Sequence, residues 1–171
     1  MRYAMAENDK EAPPRITRRD FIRISSATTL ATGLPAAAQP SPPKSYPVLE
    51  VADLAALKPD TPVQFTYPDS SSPAVLLRLK QAAPGGVGPG NTIVAFSMLC
   101  THKGCPVAYR PERRLLICPC HWSSFDPAKA GQMVIGQGSQ SLPQVTLRVE
   151  GSKVQAVGIE GLVYGRHTNI L

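Results

Sequence analysis

Cys100-Thr101-His102-Lys103-Gly104-Cys105 and Cys118-Pro119-Cys120-His121-Trp122-Ser123 hold all four cysteines and two of the three histidines of a 171-residue chain. Each stretch offers one Cys and one His at ligand spacing, plus one further Cys. Cys100 and His102 are two apart and leave an extended loop on the same side. Cys118 and His121 are three apart and converge around a turn that Pro119 helps to fix. The two loops then face each other like jaws. Two thiolates and two imidazoles presented this way suit one [2Fe–2S] cluster, with Cys100 and Cys118 on one iron and His102 and His121 on the other. Neutral imidazoles in place of thiolates leave such a centre less negative. An added electron then costs less, and the potential rises to roughly −150 to +300 mV. The chain reads first as a carrier of single electrons.

Cys105 and Cys120 remain. They read best as a disulfide tying one jaw to the other. Tetrahedral zinc also accepts Cys and His at short spacing and is a competing reading. The plainest alternative, four structural cysteines in two disulfides, leaves both histidines and the Cys-Pro-Cys-His turn without a role.

The two boxes resemble those of the Rieske proteins, and the spare cysteine pair resembles the high-potential branch found in cytochrome bc complexes. Gly131-Gln132-Met133-Val134 through Leu142-Pro143-Gln144, and the ending Gly161-Leu162-Val163-Tyr164-Gly165-Arg166, are similar to the small subunit of arsenite oxidase. The resemblance covers about residues 45–171 and the style of the N-terminal signal. It implies an all-β Rieske fold over 48–171, an antiparallel β sandwich or barrel, with the cluster-binding loops at about 98–126 forming a small subdomain at one end. It implies an electron-transfer subunit of a periplasmic arsenite oxidase with no substrate site of its own. Electrons would arrive from a molybdopterin- and iron–sulfur-containing large subunit and leave to a periplasmic cytochrome c or an azurin-like copper protein. The alternatives are the Rieske subunit of a quinol–cytochrome c oxidoreductase and a free-standing periplasmic Rieske carrier.

The resemblance also assigns neighbours of the cluster. High-potential relatives carry Ser and Tyr hydroxyls where this chain has Ser123 and Phe125, so one donor is kept and one is lost. A hydrogen bond to sulfur favours the reduced, more negative centre, so the loss lowers the potential. Residues 136–142 match the loop that covers the cluster in relatives, without its Gly-Pro-x-Pro character. Trp122 is expected to exclude water from the site or to join the core.

The N-terminus is set apart from the fold. Thr17-Arg18-Arg19-Asp20-Phe21-Ile22 is a twin-arginine export signal, followed by a weakly apolar run from Ile24 to Leu34 and a small-residue cleavage site at Ala36-Ala37-Ala38. The run is too short and too rich in Ser, Thr and Gly to span a bilayer comfortably. An uncleaved membrane anchor is the second reading. Export of an already folded protein suits a cluster assembled in the cytoplasm, and an oxidising periplasm suits a Cys105–Cys120 disulfide. Residues 39–47, with four prolines, form an extended arm. Of the 18 Lys and Arg and 12 Asp and Glu, six and four precede residue 39, leaving a net charge of +4 on the mature part. That modest charge gives no argument for nucleic acid.

Most of the rest reads as short strands rich in Val, Ile, Leu and Thr between Pro, Gly and Asp signals: 48–51, 63–67, 75–80, 92–97, 115–118, 145–149 and 153–157. Residues 53–57 suggest one helical turn. The Gly-rich 84–91 lacks the Gly-Lys-Ser/Thr ending of a phosphate loop and reads as a hairpin loop. His167 has no Cys partner nearby and reads as a surface residue. Lys103, Arg110, Arg113 and Arg114 make a basic stretch between the boxes, either a solvated loop or a docking surface for an acidic partner.

Overall fold

A computed structural model describes residues 45–170. The expected export signal, 1–38, and the first residues of the arm, 39–44, lie outside the described residues. Ten strands are present: β1 (Leu49–Asp53), β2 (Val63–Thr66), β3 (Pro73–Arg78), β4 (Ile93–Ser97), β5 (Ala108–Arg110), β6 (Leu115–Ile117), β7 (Ser124–Asp126), β8 (Gln132–Ile135), β9 (Gln144–Glu150) and β10 (Lys153–Glu160). They form a six-stranded sheet in the order β1-β10-β9-β4-β3-β2 and a four-stranded sheet in the order β5-β6-β7-β8. Every pairing between these strands is antiparallel. The all-β expectation holds. No helix among the described residues is long and apolar enough to cross a membrane.

The β3–β4 hairpin is the centre of the molecule. Val75, Leu77, Val94 and Phe96 point into a core shared with the four-stranded sheet, where they meet Val107, Tyr109, Leu116, Phe125 and Leu142. Ala74, Leu76, Ile93 and Ala95 point the other way, into a second core with Val145, Leu147, Val154 and Ala156. Successive strand residues face opposite sides, so a strand buried on both faces must be apolar at every position. That is why Ala74-Val75-Leu76-Leu77 and Ile93-Val94-Ala95-Phe96 are continuous apolar runs. β9 is buried on one face only: Val145 and Leu147 are buried while Thr146 and Arg148 are exposed. The expected helical turn is a 3₁₀ turn, Leu54–Ala56, and the Gly-rich segment joins β3 to β4 as a hairpin loop.

Three strands escaped the sequence reading: β5, β7 and β8. All three belong to the small sheet, which carries the two Cys/His boxes on its loops. Cys100-to-Cys105 connects β4 to β5, and Cys118-to-Ser123 connects β6 to β7.

Candidate metal centre

Each jaw is a turn closed by its own backbone. In the first, Cys100 N–H donates to Cys105 O at 2.9 Å and Gly104 N–H to Cys100 O at 2.8 Å. In the second, Cys118 N–H donates to Ser123 O at 2.8 Å and Trp122 N–H to Cys118 O at 3.0 Å. Gly104 sits at φ +71°, and a Cβ there would lie 2.6 Å from the Tyr164 ring. Only glycine suits that backbone and that clearance. Tyr164 thus reaches the first jaw from the C-terminal tail. The tail is fixed by Arg166, which donates to both Asp69 carboxylate oxygens at 2.6 and 2.8 Å, and by Asn169, which accepts from Val163 N–H at 2.9 Å.

A disulfide joins Cys105 to Cys120 across the jaws. Cys100 and Cys118 are free and buried. Cys118 Sγ lies within 4.8 Å of both disulfide sulfurs. The disulfide sulfurs are committed to each other, so the thiols available to a metal are those of Cys100 and Cys118. Burial pushes the Cys100 thiol up, opposed by the backbone N–H of His102, and the adjacent Cys118 thiol raises it further. Two neighbouring buried thiolates are costly unless a cation shares their charge. The His102 and His121 rings meet edge to face, their centroids 4.8 Å apart. His102 Nδ1 is buried without a hydrogen-bond partner. A buried ring nitrogen without a partner is costly in a finished protein and ordinary in a metal ligand. The paired thiols and the orphaned imidazole nitrogen therefore fit a cluster held by two Cys and two His. His121 is exposed, whereas His102 is partly covered.

The segment 136–142 lies across the site. Ser139 Oγ donates to Thr101 O at 3.0 Å and Thr101 Oγ1 to Gln140 O at 2.8 Å, both on the first jaw. Gln137 N–H donates to Ser123 Oγ at 3.0 Å on the second. These bonds tie the cover to both jaws, which supplies the constraint that its missing prolines do not. Gly136 has φ +115°, and a Cβ there would come within 2.4 Å of Ser123 Cα. Ser123 and Phe125 are fully buried, each 0 % exposed.

Of the two expectations for Trp122, the structure overturns the core one. The residue is 69 % exposed and belongs to neither core. Its backbone is left-handed, φ +62°, a conformation that a bulky residue adopts only where the surrounding turn imposes it. That turn, closed by Cys118 O and Ser123 O, aims the indole outward. His167 is exposed, as expected.

Two antiparallel sheets, with paired Cys/His loops on the smaller one, define a cluster-carrying electron-transfer domain. Residues 44–146 match the family described as Rieske [2Fe-2S] domain. The chain belongs to that family. It is 36% identical over 160 residues to the iodate reductase subunit IdrB of Denitromonas iodatirespirans, covering 90% of this chain and 86% of that protein. The corresponding subunit of Pseudomonas sp. (strain SCT) is 37% identical over 88% of this chain and 82% of its own length. The cytochrome bc1 complex Rieske iron-sulfur subunit of Streptomyces lividans is 41% identical over only 58 residues, 33% of this chain and 34% of that one. Among solved structures, the soluble domain of the Rieske protein II (soxF) from Sulfolobus acidocaldarius superposes with a TM-score of 0.62 at 25% identity, covering 71% of this chain and 82% of that one. The cofactor is accordingly a Rieske-type iron–sulfur cluster.

Proposed function

We propose that this chain is the electron-transfer subunit of a multi-subunit, extracytoplasmic oxidoreductase, and that Cys100, His102, Cys118 and His121 hold its cluster. When bound, the cluster supplies a site for one electron at a time. The chain's own residues do the rest. Cys100 and Cys118 offer thiolates in a buried cradle, His102 and His121 offer ring nitrogens, and the 136–142 segment keeps water from the sulfurs. The supporting observation is the asymmetry of the site. Its thiols are buried while the His121 ring is exposed, so a partner can approach through the imidazole edge. With all four ligand positions taken by protein, no iron position is open to a substrate. The chemistry on a substrate then belongs to a partner chain.

The likeness over nearly the whole chain to IdrB subunits supports a partner that exchanges electrons with a small oxyanion. Iodate reduction is the form this takes in those relatives. Arsenite oxidation, read from segments 131–144 and 161–166 and coupled to a molybdopterin large subunit and a cytochrome c or copper acceptor, is the other form. The Cys105–Cys120 disulfide and the local bc1 likeness favour a second reading, a quinol–cytochrome c oxidoreductase. The twin-arginine signal supports a periplasmic location for any of them. Stopped-flow spectroscopy on the complex purified from its source separates the readings. Arsenite reduces the centre if the partner is an arsenite oxidase. Iodate oxidises the reduced centre if the partner is an iodate reductase. Reduction by quinol alone places the chain in a bc1-type complex.

A further inference from the structure

Arg110, Glu112, Arg113, Ile117, Pro119 and Trp122 line a surface groove of about 220 Å³ on the β5–β6 side of the second jaw. The β5–β6 turn that supplies its cations is closed by its own backbone: Arg113 N–H donates to Arg110 O at 3.1 Å and Arg114 N–H to Pro111 O at 3.3 Å. Arg110 and Arg113 are exposed, and among the described residues neither has a carboxylate within salt-bridge distance. Lys103, exposed on the first jaw, is equally unpaired among the described residues. Glu112 is the groove's one carboxylate.

Trp122 forms one wall of this groove and follows His121 directly in the chain. A large aromatic held outward by a left-handed turn, 69 % exposed, gives the fold little burial energy. At a protein–protein contact the same side chain is a strong anchor. Unpaired arginines around it favour a partner of opposite charge and lower affinity for a basic one. The exposed apolar residues of the small sheet, Val134 and Ile135, lie on β8 at the opposite edge from β5. The groove edge is thus the charged one, the kind that forms salt-sensitive, short-lived encounters.

We propose that this groove is the docking surface for a soluble one-electron protein whose contact face is acidic around an apolar centre. Its carboxylates meet Arg110 and Arg113, its centre covers Trp122 and Pro119, and its redox group comes up beside His121. This rests on the electron-transfer reading above and adds the site and chemistry of the exchange.

The test uses the cluster-loaded chain with two probes, an acidic and a basic c-type cytochrome of similar potential. Binding of the oxidised cytochromes is measured by calorimetry, and electron exchange by stopped flow. The acidic cytochrome should bind more tightly and react at least about tenfold faster at low salt, and lose that advantage as salt screens the charges. Arg110→Glu with Arg113→Glu should reverse the preference. Trp122→Ala should weaken binding of the acidic probe while leaving its salt dependence unchanged. Arg148→Glu, an exposed site on the six-stranded sheet, should leave the preference standing. The proposal is overturned if Arg148→Glu has the effect of one groove reversal, or if binding ignores both salt and the groove variants. It is also overturned if, in the complex purified from its source, the groove variants dissociate the large subunit, since the groove is then that subunit's seat. Film voltammetry keeps the two proposals apart. A normal one-electron wave with indifferent groove variants removes the docking surface alone, whereas the lack of any one-electron wave removes the electron-transfer reading and the docking surface with it.

Discussion

Ser123→Ala should lower the midpoint potential by tens of millivolts at little cost to the fold. Ser123 Oγ accepts the Gln137 N–H at 3.0 Å, and no acceptor within the chain takes its own proton among the described residues. A buried hydroxyl with a free proton costs stability unless something receives it. The sulfurs of a cluster held by Cys118 are the natural acceptor in this site. Such a bond favours the reduced centre, because the added electron raises the charge on sulfur. A net value of about 0.5–1.5 kcal/mol for one hydrogen bond converts, at about 59 mV per 1.4 kcal/mol for one electron, to roughly 20–65 mV. The structural loss is separate and smaller. Gln137 is exposed, so its N–H finds water once the hydroxyl is gone. Protein-film voltammetry reads the potential and thermal unfolding reads the fold. An unchanged potential with a normal cluster spectrum refutes the reasoning and makes Ser123 only a tether for the covering segment.

The disulfide and the thiol ligands should separate cleanly. Cys105→Ser should keep the reduced-state EPR signal and lose about 3 kcal/mol of stability, the value for a loop of this length, across a sequence separation of 15; Cys100→Ser should lose the signal altogether. Gly136→Ala should push the covering segment off Ser123 and shorten the life of the cluster in aerobic solution, followed by the decay of its visible absorbance. The Arg166 guanidinium holds the Asp69 carboxyl well below the usual carboxylate range. A depressed carboxylate stabilises the fold above its unfolded pKa of about 3.9 and loses that contribution as pH falls toward the folded value. Asp69→Asn should therefore melt earlier than the wild type at neutral pH, with the gap closing below about pH 4 in denaturation experiments.

The strands legible in the sequence were those whose burial left a pattern. β3 and β4 are apolar at every central position because they face two cores, and β9 alternates because it faces one. β5, Ala108-Tyr109-Arg110, and β7, Ser124-Phe125-Asp126, lack the apolar β-branched or leucine run that marked the equally short β6, Leu115-Leu116-Ile117. Too few side chains are buried there to set a period. β7 follows directly on the second box, whose Cys and His draw the reading away from a strand, and three of the four residues of β8 are exposed. The ligand candidates were legible because chemistry demands those residue types at short spacing. Trp122 stays out of the core because of a positive φ in the turn Cys118–Ser123, which composition does not reveal. The bonds holding the covering segment link residues up to 39 apart, and Tyr164 meets Gly104 from the far end of the chain. Such contacts leave no local trace. The ending Gly161-Leu162-Val163-Tyr164 marked a subfamily in the sequence; its place against the first jaw came only with the fold.

The most direct test of the account is pulsed EPR on the reduced protein grown with ¹⁵N-labelled histidine. Ligation by His102 and His121 predicts two strongly coupled ¹⁵N nuclei in a chain whose third histidine, His167, is exposed near the C-terminal end. His167→Gln should leave both couplings in place. A reduced cluster with no strongly coupled histidine nitrogen would contradict the assignment and leave the iron to thiolates alone.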